Sequence, residues 1–367
     1  MLREKTDEFF MYRALRLAKR GKGRVSPNPM VGAVIVKKGE IIGEGYHQQY
    51  GGPHAEINAI SNSPESLKGS SFYITLEPCT HYGKTPPCIE SILKIKPAEV
   101  IIGTPDPNPL VSGRGIQILK ENGIHTKVGI LENECRILNE KFFKFIQHAI
   151  PFVTLKFAQS LDGRIAAVSG DSKWISSEPS RKLAHRERSL HDAVLVGAGT
   201  VIADDPDLTV RLVRGKNPIR IILDSKLKIP LSARILKNQN TAKTIIISTA
   251  ASRNQSKLSD LQKMGIEILE IDSTQGGQID LAKLLPELAK KGLSSILVEG
   301  GSEIITSFLK TKIADRLLVF TAPKLIGKGI EAIGDLGINR IEEAIRLEFR
   351  KVFQKEGDLV IDARILK

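Results

Sequence analysis

Short apolar runs alternate with amphipathic stretches along the first 150 residues. Apolar runs of strand length occur at three places: 31–36, 71–76 and 99–103. Apolar residues recur at helical spacing in five stretches: 8–20, 54–60, 88–95, 113–122 and 132–148. In the first of these, Met11, Leu15 and Ala18 share one face, and Gly21 would end the helix. The alternation of the two patterns predicts an α/β fold.

The same alternation starts again after Pro151. Strand-like runs occupy six ranges: 152–157, 192–196, 219–223, 244–247, 266–271 and 295–298. Helical spacing occurs in three: 178–190, 279–291 and 302–310. Near the C-terminus, Glu356-Gly357-Asp358 separates the runs 346–354 and 359–365, which is typical of a β-hairpin. We therefore predict two α/β domains, residues 1–150 and 151–367.

The composition is that of a globular protein, with 41% hydrophobic and 26% charged residues among 367. No run approaches the roughly 18 to 20 apolar residues that a membrane span needs, and no secretory signal opens the chain. Three cysteines cannot form a disulfide framework. We expect a cytoplasmic enzyme with no membrane partner.

The net charge of +13 comes from 54 basic and 41 acidic residues. Both halves carry an excess, and no block of five like charges occurs. A solvated, lysine-rich surface explains this distribution better than a nucleic-acid partner does, although the surplus could attract small anions.

The densest chemistry lies in His54-Ala55-Glu56, in Glu77-Pro78-Cys79 and at Cys88. Zinc takes imidazole and thiolate ligands, and a catalytic zinc keeps three protein ligands and one water. We predict that His54, Cys79 and Cys88 bind one zinc ion. Glu56 would accept the proton of the water and return it to a leaving amine. A closed structural zinc site, or buried cysteines beside an incidental histidine, are the alternatives. Cys135, alone in a helical pattern, is predicted to be a core residue.

The spacing of the two cysteines departs from the common zinc-deaminase pattern, in which two residues separate them. Here eight residues separate Cys79 from Cys88. This insertion argues against a general nucleoside or nucleic-acid deaminase, and it predicts that the inserted loop forms part of the substrate pocket.

Three segments together resemble the bifunctional deaminase/reductase family of riboflavin biosynthesis, of RibD type: SPNPMVG at 26–32, GPHAE at 52–56 and EPCTHYGKTPPC at 77–88. The resemblance implies a cytidine-deaminase-like α/β/α domain. It also implies a substrate that is a diaminopyrimidinone carrying a ribosylamino 5′-phosphate. By the same resemblance Asn28 and His47 lie near the pyrimidine, and His81 and Lys84 contact sugar or phosphate.

Asp106 and Asn108, in DPNP at 106–109, are similar to a further pocket segment of that family, with a plain turn as the alternative. The inserted loop suits such a substrate physically. Lys84 offers a point charge for phosphate, His81 a donor, and Gly83 a close backbone approach. A polynucleotide would need stacking aromatics, and only 5% of the residues are aromatic.

The second half lacks a complete dinucleotide-binding glycine fingerprint; GAGT at 197–200 comes nearest. However, the predicted strand 192–196 leads into that turn, and the strand 295–298 leads into EGGS at 299–302 and a helix. Backbone amides at such a turn can hold a phosphate. Turns that need glycine for packing alone are the alternative.

Five further segments resemble the reductase domain of the same family: SLDGR at 160–164, WIS at 174–176, DAVLVG at 192–197, TVIADDP at 200–206 and LTVR at 208–211. The resemblance implies a dihydrofolate-reductase-like fold and NADPH. It implies these cofactor contacts: Trp174, Thr200, Asp204, Ser225, Gly301, Ser302, Glu303, Ile304 and Ile305. It implies these substrate contacts: Lys156, Ser172, Arg188, Leu208, Arg211 and Glu299. The two arginines suit bidentate phosphate binding. A core position is the alternative for Trp174, and the sequence indicates no proton donor.

We hypothesise a two-domain enzyme that deaminates a phosphorylated pyrimidine and then reduces its ribosyl group, and the resemblance implies a homo-oligomer. One alternative is a tRNA- or nucleoside-directed deaminase with an accessory domain. Another is a zinc-stabilised binding module without catalysis, against which Glu56 argues, because a structural site needs no acid there.

Overall fold

The computed structural model describes residues 6–64, 66–83, 86–109, 111–250, 252 and 255–366. The chain divides into two compact units, Met1–Ala149 and Ile150–Lys367. Both units combine strands and helices, so the predicted α/β fold class is confirmed. Among the described residues, no helix has both the length and the apolar composition that crossing a membrane requires.

A five-stranded sheet in the order β2-β1-β3-β4-β5 forms the centre of the first unit. Its strands are β1 Gly32–Lys37, β2 Glu40–Tyr46, β3 Ser71–Ile74, β4 Glu99–Ile102 and β5 His125–Val128. The helices are α1 Asp7–Ala18, α2 Ala55–Ser61, α3 Cys88–Ile95, α4 Arg114–Glu121, α5 Glu132–Leu138 and α6 Glu140–His148. Strand β1 is antiparallel to β2 and β3, whereas β3, β4 and β5 are parallel.

Helices cover both faces of this sheet. Along β1, Ala33 and Ile35 pack into one hydrophobic cluster with α2, α3, α4 and α6, and Val34 and Val36 pack into another with α1 and α5. Alternate residues of a strand point to opposite faces, so β1 is buried on both sides. Cys135 lies fully buried in the second cluster, as predicted for a core residue.

Strand β2 was not expected from the sequence, because Gly43 and Gly45 interrupt its apolar pattern. Both glycines lie directly under α2. A Cβ atom on Gly43 would lie 2.7 Å from the Ala59 carbonyl oxygen, and one on Gly45 would collide with the backbone of Ala55 and Ala59. The missing side chains therefore let α2 pack closely on the sheet.

The single helix predicted over 132–148 is wrong, because the chain forms two helices that meet at Asn139. The Asn139 side chain bonds to the Met30 backbone, accepting from its N–H at 2.8 Å and donating to its carbonyl at 2.9 Å. Asn139 adopts φ −109° and ψ 19° there, outside the helical range, and a contact across 109 residues thus overrides the local helical pattern.

A nine-stranded sheet in the order β11-β10-β9-β8-β12-β6-β13-β16-β15 forms the second unit. Its strands are β6 Phe152–Ser160, β8 Ala193–Gly197, β9 Ile219–Leu223, β10 Thr244–Ser248, β11 Glu267–Glu270, β12 Ser295–Val298, β13 Arg316–Ala322, β15 Leu347–Lys355 and β16 Asp358–Ile365. A separate pair is β7 Arg164–Ala167 with β14 Gly329–Glu331. The helices are α7 Glu178–Ser189, α8 Ala198–Asp204, α9 Gln255–Lys263, α10 Leu281–Lys290 and α11 Ser302–Lys310.

The strands from β11 to β13 run parallel, and β16 and β15 add an antiparallel edge. The predicted C-terminal hairpin is present, with Glu356 and Gly357 at positive φ as a two-residue turn of this kind requires. Parallel strands place their carboxyl ends at one edge of the sheet, where ligands bind in folds of this type.

Candidate active sites

Three side chains from separate segments of the first unit meet at the start of two helices. His54 precedes α2 with an extended backbone, Cys79 follows β3, and Cys88 is the first residue of α3. His54 Nδ1 lies 3.2 Å from Cys88 Sγ and 3.5 Å from Cys79 Sγ. Tetrahedral zinc with ordinary bond lengths separates such ligand atoms by roughly 3.6 Å. The donor set and its spacing therefore fit zinc, with Nδ1 as the histidine ligand.

The protonation state of Cys79 also suits a metal. The Cys88 thiol donates to the Cys79 sulfur, as does the Cys88 backbone N–H at 3.3 Å, and the His54 ring lies beside it. These contacts hold the pKa of Cys79 well below its usual value. Cys79 is therefore a thiolate, the form that binds metals.

Glu56 lies in the first turn of α2 and is almost completely buried. Burial raises its pKa to about 7, and the nearby Cys79 thiolate adds to the rise. A carboxyl group whose pKa is near neutral can both accept and donate a proton under physiological conditions.

A cavity of about 300 Å³ joins these groups to the residues that the family resemblance implies for the substrate. His54, Glu56 and Cys79 line it. So do five of the predicted substrate-binding residues: Asn28, His47, His81, Asp106 and Asn108. The sixth, Lys84, lies outside the described residues.

The His47 ring is neutral and fixed in one tautomer. Its Nδ1 atom lies 3.0 Å from the Pro53 carbonyl oxygen, which can only accept, so Nδ1 carries the proton. Nε2 then accepts from the Asn28 amide at 3.2 Å. Burial lowers the pKa of His47 and favours this neutral form. The contact sets the orientation of the Asn28 amide in the cavity.

Asp106 and Asn108 form a turn and line the cavity as well, so the two interpretations of DPNP are not exclusive. The Asn108 N–H donates to Asp106 Oδ1 at 2.8 Å. Burial raises the pKa of Asp106 to about 6, and the neighbouring Glu77 and Cys79 contribute to this rise.

Glu77 is a functional position that the sequence analysis did not identify. Its buried carboxylate accepts four backbone N–H bonds between 2.9 and 3.2 Å, from Asp106, Gly113, Gly115 and Ile116. Glu77 thus ties the segment that carries Asp106 to the strand end that carries Cys79. In the sequence, the only indication that Glu77 has such a role is its place directly before Pro78-Cys79.

In the second unit, β8 and β12 are neighbouring parallel strands, and α8 and α11 begin where they end. A Cβ atom on Gly301, the residue before α11, would lie 4.0 Å from Thr200 Oγ1 on α8. The two helix starts therefore face each other across a narrow crevice. Ile305 is buried in the core and Ile304 packs against Gly300. The backbone N–H groups of both residues donate to the Gly301 carbonyl at 3.1 Å, so the helix itself already uses the amides of these two predicted cofactor contacts. Ser302 and Glu303 occupy the first turn of α11.

The remaining predicted cofactor contacts lie around this sheet edge. Asp204 ends α8, and Ser225 follows β9 with its carbonyl bonded to Thr249. Trp174 is 65% exposed, so the alternative of a core position is wrong; the Arg181 guanidinium lies 4.5 Å from its ring centre.

A buried charge cluster follows β12. Arg188 Nε and Nη2 bond the two oxygens of Glu299 at 2.6 and 2.9 Å, and Lys156 Nζ lies 3.7 Å from that carboxylate. Burial alone would raise the pKa of Glu299, but the two cations outweigh it and hold the pKa at about 2. Because Glu299 already engages Nε and Nη2 of Arg188, a phosphate would have to compete with this carboxylate for the bidentate contact that the sequence predicts.

Arg211, Leu208 and Ser172 differ in what they can offer a ligand. Arg211 is half exposed and bonds Asp207, and its backbone N–H donates to His185 Nδ1 at 3.0 Å. Leu208 is buried, and Ser172 is partly exposed in the loop before Trp174. His185, which the sequence analysis missed, is held neutral, because burial and the nearby arginines lower its pKa to about 4.

Two family descriptions match the chain. Residues 151–361 match the RibD C-terminal domain, and residues 4–104 match the cytidine and deoxycytidylate deaminase zinc-binding region. The chain is 47% identical over 362 residues to the riboflavin biosynthesis protein RibD of Aquifex aeolicus, covering 98% of this chain and 99% of that protein. It is 38% identical over 360 residues to RibD of Escherichia coli, covering 94% and 96%.

Solved structures are similar over nearly the whole chain. Acinetobacter baumannii RibD, form 1, gives a TM-score of 0.88 at 37% identity, covering 98% of this chain and 99% of that chain. A Thermotoga maritima structure, described as a diaminohydroxyphosphoribosylaminopyrimidine deaminase/5-amino-6-(5-phosphoribosylamino)uracil reductase, gives 0.85 at 38% identity with the same coverage.

Replacing Glu77 with Gln should destabilise the first unit. An amide has one acceptor oxygen, so N–H groups that now bond the second oxygen would face an NH₂ group instead, at a cost of about 2 kcal/mol or more. Urea unfolding of the zinc-loaded protein measures the loss, with Glu121→Gln at an exposed position of α4 as the control. A free energy of unfolding equal to that of the wild type would contradict the role given to Glu77.

Replacing Glu299 with Gln should cost roughly 3–5 kcal/mol, because Arg188 and Lys156 would remain buried without a counter-charge. The folded pKa of about 2 lies below the unfolded value of 4.5. The stabilisation is therefore complete above pH 4.5 and is lost as the pH falls towards 2. The difference in the free energy of unfolding between the wild type and Glu299→Gln, measured with urea, should become smaller as the pH is lowered. The control Glu287→Gln should have the same free energy of unfolding as the wild type at every pH. A pH-independent difference would show that the charge of Glu299 is not its cause.

Proposed function

The chain belongs to the RibD family of bifunctional deaminase/reductase proteins of riboflavin biosynthesis, and we propose that its two units catalyse two consecutive steps on one phosphorylated pyrimidine. The first unit hydrolytically deaminates 2,5-diamino-6-ribosylamino-4(3H)-pyrimidinone 5′-phosphate. The second reduces the ribosyl group to ribityl with NADPH, giving 5-amino-6-ribitylaminouracil 5′-phosphate. The observation that carries the proposal is the meeting of His54, Cys79 and Glu56 with the predicted substrate residues in one cavity.

His54, Cys79 and Cys88 would hold one zinc ion in the first unit. When bound, zinc supplies Lewis acidity that lowers the pKa of water at its open position. Glu56 accepts a proton from the water as the water oxygen bonds the ring carbon that carries the amine. Glu56 then returns this proton to the exocyclic nitrogen as the carbon–nitrogen bond breaks and ammonia leaves. Its burial suits this exchange, since a carboxylate in water would hold a proton too weakly at neutral pH.

The substrate lies in the cavity with its ring near Asn28 and His47 and its sugar phosphate near His81, and the contact of Lys84 with the phosphate stays a prediction from the sequence. The Asn28 amide, oriented by His47, and the turn of Asp106 and Asn108 bond the edges of the ring. The fixed tautomer of His47 supports this assignment, because a donor of known direction can discriminate between ring substituents.

In the second unit the cofactor lies with its pyrophosphate at the start of α11 and beside Thr200. NADPH supplies the hydride. Trp174, Asp204 and Ser225 contact other parts of the cofactor. Arg211 binds the substrate phosphate, with Ser172 and the backbone of Leu208 beside it. Glu299, held by Arg188 and Lys156, bonds the substrate. The crevice between Gly301 and Thr200 supports this placement.

The proposal includes the setting in which the enzyme works. The chain acts in the cytoplasm as a homo-oligomer, and its partner is the small-molecule substrate and not a nucleic acid. The homo-oligomer rests on the family resemblance. The cytoplasmic setting rests on the composition, and the exclusion of nucleic acid rests on the even spread of charge and the few aromatic residues.

Replacing Glu56 with Gln should lower ammonia release by about 10²–10⁴-fold, because the amide fills the same space but cannot take the proton. Zinc content, measured by atomic absorption, should stay at one per chain. Oxidation of NADPH with the already deaminated pyrimidine should be unchanged. Glu121→Gln, which alters an exposed carboxylate bonded to Gln117, is the matched control. Ammonia release within tenfold of wild type in Glu56→Gln would exclude Glu56 as the proton carrier.

Replacing Gly301 with Val should weaken NADPH binding. Gly301 has φ −72° and ψ −178°, which valine adopts without strain, so the effect would come from crowding the crevice beside Thr200. Overpacking by two methyl groups costs roughly 1–3 kcal/mol, so the KM for NADPH should rise about tenfold or more. Gly276→Val, in an exposed loop, is the control, and deamination should be unaffected in both variants. An unchanged KM for NADPH would place the cofactor elsewhere.

A further inference from the structure

Besides its polar lining, the cavity of the first unit has an apolar section that α6 supplies. Phe142, Phe145 and Ile146 line the same space as Glu56 and two of the zinc-ligand candidates, His54 and Cys79. Neither the zinc pattern nor the segments that resemble the family extend to these residues, so their place at the cavity is information from the fold alone.

The sequence concentrates aromatic side chains at this point. Three of its twelve phenylalanines lie between positions 142 and 145, in a chain with 5% aromatic residues. Phe143 is 6% exposed and packs in the core with α2, α3 and α4. Phe145 and Ile146 stay partly exposed at the cavity. Core packing therefore accounts for Phe143 and, in part, for Phe142, which packs against the same cluster, but not for Phe145 and Ile146. Apolar side chains that line a concave site without being buried in the core favour a ligand.

Asn139 fixes where this apolar section lies. Its buried side chain makes both of its bonds to the backbone of Met30, and α6 begins at the next residue. The loop held in this way carries Asn28, which lines the cavity and bonds His47. One side chain therefore sets the start of α6 and the position of a polar section of the same cavity.

We propose that Phe145, together with Phe142 and Ile146, forms the specificity-determining wall of the first unit and receives the flat face of the aminopyrimidine ring. Asn139 is its positioning residue. The proposal deepens the proposed function and rests on it. Polar side chains discriminate only the edges of a heterocycle, whereas an aromatic side chain contacts its face. Stacking of a base on an aromatic side chain is worth about five- to 150-fold in affinity. The wall thus selects a planar heteroaromatic amine over a saturated or acyclic one.

The first test is steady-state ammonia release by the full-length, zinc-loaded protein. Phe145→Ala should raise the KM for the diaminopyrimidinone ribosyl phosphate about tenfold or more and leave kcat within about threefold. Phe145→Tyr should restore the wild-type KM, because it restores the ring. Phe143→Leu, two residues away on the same helix but in the core, should lower the free energy of unfolding and leave the KM for the pyrimidine unchanged. Asn139→Ala should raise KM with an unchanged zinc content.

The second test reports binding without turnover. In the Glu56→Gln protein loaded with Co²⁺ instead of zinc, the visible absorption bands of the metal respond to ligands in this cavity. Titration with the pyrimidine substrate should show about tenfold weaker binding after Phe145→Ala than after Phe143→Leu. Ribose 5-phosphate lacks the ring, so neither substitution should change the affinity of the protein for it.

The two tests separate failure of the wall from failure of the proposed function. If the wild type releases no ammonia, the proposed reaction is wrong, and the cobalt titration still decides whether Phe145 binds the ring. The wall is overturned if Phe145→Ala binds the pyrimidine as tightly as Phe143→Leu does. The proposal is also overturned if Phe145→Ala weakens the binding of the pyrimidine and of ribose 5-phosphate equally. The same holds if the pyrimidine does not change the cobalt bands of the Glu56→Gln protein that keeps Phe145.

Discussion

The first unit is organised around one constraint, which is that the ligand atoms of His54, Cys79 and Cys88 must lie within 4.8 Å of one another although they come from three segments. Each segment is held by a different interaction. Gly43 and Gly45 let α2, with His54 before it, pack directly on β2. Glu77 anchors the end of β3 that leads to Cys79. The Cys88 N–H bonds the Cys79 sulfur and joins the last segment to the second.

The two units solve the problem of a buried carboxylate in opposite ways, and the difference sets the chemistry of each. Glu299 is surrounded by Arg188 and Lys156, so its pKa falls to about 2 and it remains ionised. Burial and the nearby Cys79 thiolate raise the pKa of Glu56 to about 7, and the charge of His54 only partly opposes this rise. A permanently charged group suits binding and orientation, whereas a group that titrates near neutrality suits proton transfer.

The sequence predicted the zinc ligands, Glu56 and eight of the twenty described residues that line the cavity. These residues lie in short contiguous motifs whose chemistry can be inferred without knowledge of the fold. It also predicted the α/β class, since the buried strands are continuous apolar runs. It did not predict Glu77, the wall on α6 or strand β2. In each case the reason for the residue is a contact with a distant segment: Glu77 bonds residues 29 to 39 positions away, and Gly45 accommodates a helix.

The places where local pattern fails are also the places that shape the cavity. A helical pattern that ran unbroken through Asn139 would satisfy local propensity, but it would leave the Met30 backbone without this partner and the loop of Asn28 unanchored. Alanine in place of Gly45 would improve the strand pattern of β2 and push α2, with Glu56, away from the sheet. At these positions the chain departs from the regular helix or strand pattern because a long-range contact fixes a side chain beside the cavity. Such departures are expected where the residues are required by a functional site and not by the packing of the core. The break between the helices at Asn139 therefore has the same structural role as the cluster of His54, Cys79 and Cys88, because both hold separate segments of the chain beside one cavity.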